Sequence, residues 1–212
     1  MADWSTIASL STAAGTLVLA LATFSSVRSS QRTARVAERS LLLGLRPVLV
    51  PSRPEDPAEE VRFAGGRIVS VHGGEAAVTE EAGNHYMVIP LRNAGSGLAV
   101  LHGWHVRARR EASDAQLEHA PPEDFRRQQL DLYVAAGDRG FWQGAVRETE
   151  GPFRSAVQDA QAGTDLFVDL LYGDHEGGQR TVSRFLLSRL EGSQRYCRVV
   201  RHWSLDTPDP RT

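Results

Sequence analysis

The chain contains no lysine: all 24 of its basic residues are arginine. That absence excludes every chemistry built on a lysine amine, including a phosphate-loop lysine, a Schiff base and a Ser–Lys dyad. Cysteine is nearly as scarce. The single Cys197 excludes an internal disulfide and any multi-cysteine zinc site. An excess of charge is missing too, because 26 acidic residues against 24 arginines leave a net charge of only -2. No broad positive field is available to hold a polyanion, so nucleic acid is not an expected partner. Charge almost vanishes over residues 1–27, where Asp3 stands alone.

What is present fits one globular domain with an appendage. Hydrophobic residues make up 41% and charged residues 24% of 212. From Trp4 to Val27 the chain runs 24 residues without a charge, proline, asparagine or glutamine. As a helix this run is about 36 Å long, against a bilayer core of roughly 30 Å. The expectation is an uncleaved single-pass membrane anchor over 1–27, carrying Trp4, Ile7, Leu10, Leu17, Val18, Leu21 and Phe24. A cleaved signal peptide and an interfacial or soluble helix are the competing readings. Ser5, Ser9, Thr12, Thr16 and Thr23 form a second stripe. Such a stripe suits close helix association, and hence a homo-oligomer, or simply bonds back to its own carbonyls.

Arg28, Arg32, Arg35 and Arg39 recur at spacings of four and three, so a helix over 28–45 carries one basic face. That face suits the anionic inner leaflet or merely fixes topology. The arginine bias places the N-terminus outside and the C-terminal bulk in the cytoplasm, with the lipid bilayer as a partner.

From Arg46 the pattern is β, and 46–205 reads as one domain followed by a flexible tail over 206–212. Expected strands are Pro47–Pro51, Val61–Ala64, Arg67–Val71, Ala76–Glu80, Tyr86–Arg92, Ala99–Arg109, Phe141–Arg147, Leu166–Tyr172, Arg180–Leu190 and Arg195–Ser204. Helical insertions are expected from Pro122 to about Leu130 and from Pro152 to Gln161. Alternation puts Leu98, Val100, Trp104, Val106 and Ala108 on one face. It puts Cys197, Val199 and Trp203 on another shared face. Trp104, Trp142 and Trp203 are the expected core anchors. Short strands separated by glycine-rich turns suggest a sandwich or a barrel.

Two stretches carry a resemblance. Leu91-Arg92-Asn93-Ala94-Gly95-Ser96-Gly97-Leu98-Ala99 is similar to a turn of bacterial immunoglobulin-like modules, in which Asn93, Gly95 and Gly97 tolerate positive φ. Tyr172-Gly173-Asp174-His175-Glu176-Gly177-Gly178-Gln179-Arg180 resembles a late hairpin of such modules. With the leading apolar segment, the chain resembles uncharacterised single-span membrane proteins of GC-rich Gram-positive bacteria. The resemblance implies a mainly β fold: a transmembrane helix, a juxtamembrane helix, then an immunoglobulin-like β-sandwich. It implies no activity.

Catalytic spacing is weak throughout. No serine sits in a G-x-S-x-G elbow. Asp174, His175 and Glu176 offer three metal-ligand types in one turn, and His102 and His105 lie three apart on a strand. Asp169 stands mid-strand among apolar residues, with Arg184 on the next strand as its natural ion-pair partner. No cofactor is expected. The leading expectation is a membrane-anchored, non-enzymatic binding or scaffold module that engages another protein. Two alternatives remain open: self-assembly through the Ser/Thr stripe, and a metal-dependent hydrolase at Asp174 and His175.

Overall fold

The structure, a computed structural model, describes residues 3–109, 118–147, 149–190, 192 and 194–207, with the side chains of 4–11, 39 and 43 outside that set. It divides into two units, Met1–Gly44 and Leu45–Thr212.

The first unit is one helix, α1 (Trp4–Gly44), of 41 residues. The two helical segments read from the sequence are therefore continuous. Nothing between them breaks a helix until Gly44. Every described side chain from Thr12 to Leu42 is exposed. The expected membrane span is overturned: among the described residues, no helix is long and apolar enough to cross a membrane. The described apolar run from Thr12 to Val27 covers 16 residues, about 24 Å of helix, before Arg28. Five hydroxyl residues dilute it. Leu17, Val18, Leu21 and Phe24 lie in this run, whereas the side chains of Trp4, Ile7 and Leu10 lie outside the described set. The single-pass location, with a cytoplasmic C-terminal domain, rested on that span and goes with it.

The second unit runs β1 (Leu49–Pro51), β2 (Glu59–Arg62), β3 (Ile68–Val71), β4 (Glu75–Glu81), β5 (Asn84–Asn93), β6 (Ala99–Ala108), β7 (Arg126–Arg127), β8 (Tyr133–Val134), β9 (Arg139–Val146), α2 (Pro152–Gln161), β10 (Leu166–Gly173), β11 (Thr181–Arg189) and β12 (Gln194–Ser204). Ten of these strands form one sheet in the order β1-β5-β4-β12-β11-β10-β6-β7, with β9 on β5 and β8 on β6. Strands β2 and β3 make a separate hairpin. All pairings are antiparallel.

The immunoglobulin-like sandwich is thus corrected to a single sheet curled into a half-barrel. The decisive contact is β4 against β12, through Ala77↔Gln194, Ala76↔Arg195 and Glu75↔Tyr196. This pairing joins what a sandwich would keep as two sheets. Sandwich and barrel strands alternate in the same way, so the residue pattern does not separate them. The curl brings Trp104 of β6 and Trp142 of β9 edge to face at 5.5 Å between ring centroids. Met87, Ile89, Leu166, Val168, Leu170, Phe185, Leu187 and Cys197 fill the enclosed core. Helix α2 contributes Ala156, Val157 and Ala160 to it. Both helix ends are tied: Arg154 Nη1 donates to Gly83 O at 2.8 Å, and Arg195 Nη2 donates to Ala160 O at 2.9 Å. On the outer face the β2–β3 hairpin buries Val61, Phe63, Val69 and Val71 against Tyr86 and Val88.

Two register shifts alter the faces read from strict alternation. One lies opposite Leu171/Tyr172, so His102 is an extra residue on β6. Ala99 and Leu101 then share the core with Trp104 and Val106, and Val100 does not. The other shift, between Arg184 and Phe185, adds Val200 to β12. Cys197 and Val199 stay with the core, but Trp203 moves to the outer face over Arg184. The helix expected from Pro122 to Leu130 is a single 3-10 turn, Pro122–Asp124, because Phe125 is already extended and leads into β7.

Candidate functional site

The curl leaves a seam between β9 and the β7–β8 segment. Among the described residues, strand β9 pairs with β5 alone. Side chains bridge the seam where a backbone ladder would otherwise stand. Gln128 Nε2 donates to Gln143 O at 3.3 Å, and Arg126 Nη1 donates to Ala145 O at 3.2 Å. Arg126 is held in place by lying over Trp104 and Phe153, at 5.0 and 4.9 Å from the ring centroids.

The register explains which backbone groups face the seam. Pro90 stands opposite Phe141, lacks an N–H, and gives its carbonyl to Ser52 N at 3.0 Å. That pair therefore exchanges no ladder bonds. By alternation, Gln143 and Ala145 also direct their backbone groups away from β5. Their carbonyls take the two side-chain bonds above. By the same alternation their amides point into the seam, and no loop or side-chain acceptor is described for them.

A cleft of about 280 Å³ lies along this seam. Phe63, Trp104 and Leu130 give it apolar walls, while Arg126, Arg127 and Arg147 give it positive charge. None of its described lining residues is acidic. Gln128 and Gln143 line it and are buried. Their amide orientations are fixed by their partners. Gln128 Nε2 also donates to Leu130 O at 2.7 Å, and Gln143 Nε2 donates to the Asp131 carboxylate. Each therefore keeps its Oε1 toward the remaining side, and both oxygens are buried without a donor. An orphaned buried acceptor costs roughly 1–3 kcal/mol. The sequence gives little sign of this site. Gln128, Gln143 and the arginines read as ordinary polar residues until the curl brings β9 beside β7.

The residues singled out from the sequence lie elsewhere. Asp169 and Arg184 form a buried bidentate pair on the outer face, with Nε to Oδ1 at 2.7 Å and Nη2 to Oδ2 at 2.6 Å. Arg184 Nη2 also donates to Glu118 O at 2.8 Å, and the guanidinium lies between Phe167 and Trp203. Asp174 is buried, and its carboxylate accepts from the amides of Glu176 and Gly178 and from Gln179 Nε2. It is consumed in holding its own hairpin turn, while His175 and Glu176 face solvent. His102 and His105 do not converge. Burial lowers the pKa of each, but their charged neighbours differ, Arg180 and Asp174 for one and Asp169 and Arg107 for the other. Among the described residues, no group of three His, Cys, Asp or Glu is placed to hold a metal ion.

Asn93 is a buried four-bond hub. Its Oδ1 accepts from Val48 N and Gly95 N, and its Nδ2 donates to Gly97 O and Val134 O. Gly95 and Gly97 do not adopt the positive φ that glycine tolerates. They are glycine because the chain at 45–48 crosses too close: a Cβ on Gly97 would stand 1.8 Å from Leu45 O, and one on Gly95 2.3 Å from Arg46 O. On α1, the stripe hydroxyls of Thr16 and Thr23 donate back to Thr12 O and Leu19 O. The basic residues Arg28, Arg32 and Arg35 are exposed there, and the side chain of Arg39 lies outside the described set.

One further chain of groups was not foreseen. Leu49 N donates to Tyr172 Oη at 3.1 Å, Tyr172 Oη meets Ser183 Oγ at 2.8 Å, and Ser183 Oγ meets His202 Nδ1 at 2.6 Å. Tyr172 and Ser183 are fully buried, so the serine has no route to a substrate. The chain satisfies polar groups inside the barrel. Comparison with known protein families, with curated proteins and with solved structures finds no match, so the seam cleft is interpreted through its own chemistry.

Proposed function

We propose that the second unit is a non-enzymatic binding module whose recognition surface is the cleft at the seam. The observation that carries this reading is the pair of orphaned oxygens, Gln128 Oε1 and Gln143 Oε1, buried in the wall of an open, aromatic- and arginine-lined cleft. A few convergent polar groups on an apolar-walled concavity are the usual form of a recognition site. Elsewhere Asp174 is engaged in its own turn and Asp169 in a buried ion pair. The module's partner is a protein or a peptide segment of one.

The test uses an unbiased probe. Random twelve-residue peptides displayed on phage are selected against the full chain. Selected peptides are then titrated while amide resonances of the protein are followed. Ala64 is exposed and lines the cleft, so Ala64→Trp fills it without touching the core. The expected result is shifts centred on residues 126–130 and 143–147, with binding abolished by Ala64→Trp. Peptides that bind Ala64→Trp as well as wild type overturn the reading.

A further inference from the structure

Resting on the cleft as the recognition site, we propose that its occupant is an acidic peptide segment bound in extended form, paired through its backbone to the seam-facing edge of β9 in place of the side-chain bonds from Gln128 and Arg126. Three independent features of the seam point to this chemistry.

The first is charge. The chain as a whole is balanced, with 26 acids against 24 arginines. The cleft departs from that balance, with Arg126, Arg127 and Arg147 along it and no acid among its described lining residues. Arginine forks match carboxylates in geometry as well as sign.

The second is the edge itself. The amides of Gln143 and Ala145 stand two residues apart and by alternation face the seam, with no loop or side-chain acceptor described for them. Two residues is the repeat at which an extended strand presents carbonyls to a neighbour. Strand addition draws affinity from such main-chain bonds and specificity from pockets for alternate side chains. Here Phe63, Trp104 and Leu130 supply the apolar pocket, and the arginines receive the alternate residues.

The third is the pair of buried glutamines. Gln128 and Gln143 are each 7% exposed, and both Oε1 atoms lack a donor. A peptide backbone brings N–H donors as well as carbonyls. Replacing the Gln128 bond to Gln143 O by a hydrogen bond from the peptide releases the Gln128 amide to turn its oxygen toward a peptide N–H. A nucleic-acid strand would meet the arginines and aromatics too, but its N–H donors lie on the bases and not at the two-residue repeat of a peptide strand.

The experiment measures fluorescence anisotropy with the full chain and four labelled probes. These are an eight-residue peptide alternating Glu and Val, its Lys–Val counterpart, the acidic peptide N-methylated at alternate residues, and an eight-nucleotide thymidine strand. The expected result is that the acidic peptide binds and that binding weakens with added salt. The Lys–Val and N-methylated peptides should bind at least about tenfold more weakly. Arg127→Glu and Arg147→Glu, both at exposed positions, should weaken the acidic peptide by a similar factor. Equal binding by the Lys–Val peptide overturns the acidic occupant, and equal binding by the N-methylated peptide overturns strand pairing. Tighter binding by the thymidine strand overturns the peptide class. Failure of the acidic peptide, while phage-selected peptides still bind and are blocked by Ala64→Trp, overturns this inference alone. Binding of the acidic peptide that Ala64→Trp does not reduce overturns the cleft reading as well.

Discussion

At the scale of single residues, the Asp169–Arg184 pair shows how a buried charge is made tolerable. Arg184 is 2% exposed, yet it has two carboxylate bonds, a backbone carbonyl and aromatic faces on either side. Removing one partner leaves the other charge buried and alone, which costs about 3–5 kcal/mol. Asp169→Leu should therefore lower the urea midpoint sharply. The double variant Asp169→Leu/Arg184→Leu should recover much of that loss, because no unpaired charge remains. A double variant as unstable as the single would show that the pair itself stabilises the fold. The pairing was legible in the sequence, since Asp169 sat mid-strand with an arginine on the next strand. The aromatic sandwich was not, because Trp203 reaches Arg184 only through the extra residue at Val200.

At the scale of elements, the glycine-rich turn after β5 joins three parts of the sheet. Asn93 bonds the chain at Val48, its own turn and β8. The glycines let 45–48 pass against the turn. Gly97→Ala forces a Cβ to within 1.8 Å of Leu45 O, so the backbone must move. We expect a loss of about 1–3 kcal/mol, as for overpacking, measured by denaturant unfolding. Gly137→Ala, at a position with no neighbour within 4 Å but φ of 73°, is the control that separates backbone strain from collision. No loss in Gly97→Ala would show that the crossing at 45–48 gives way without cost. Ten strands and α2 were readable from alternation, turn residues and the proline at a first helical turn. Strands β7 and β8, of two residues each, were not. Two residues carry no periodicity, and they are strands only because β6 lies beside them.

At the scale of the whole molecule, histidine burial gives the fold a pH dependence. His85 is fully buried with neither ring nitrogen bonded, and burial lowers its pKa, with Glu80 opposing and Arg154 reinforcing. His102 and His105 are lowered chiefly by burial as well. Above the ordinary imidazole value of about 6.5 the folded and unfolded chains are both neutral at these sites. Below it the unfolded chain takes up protons first. Stability therefore falls with pH until the lowered folded values are reached. Urea midpoints should be lower at pH 5.5 than at pH 7.5, and His85→Leu should remove part of that slope. An unchanged slope in the variant would place the effect at other groups.

The sequence alone determined the ten longer strands and α2, because alternation, glycine turns and a helix-starting proline are local signals. It also determined that this chain has no lysine amine and no internal disulfide. The tertiary structure decided the rest. It made one curled sheet in place of two stacked ones, through β4 pairing with β12. It also created the seam, where Gln143 and Ala145 turn their backbone groups toward Arg126 and Gln128 of another strand segment. Both depend on which strand edges meet, and side-chain alternation is identical whichever edge a strand pairs with.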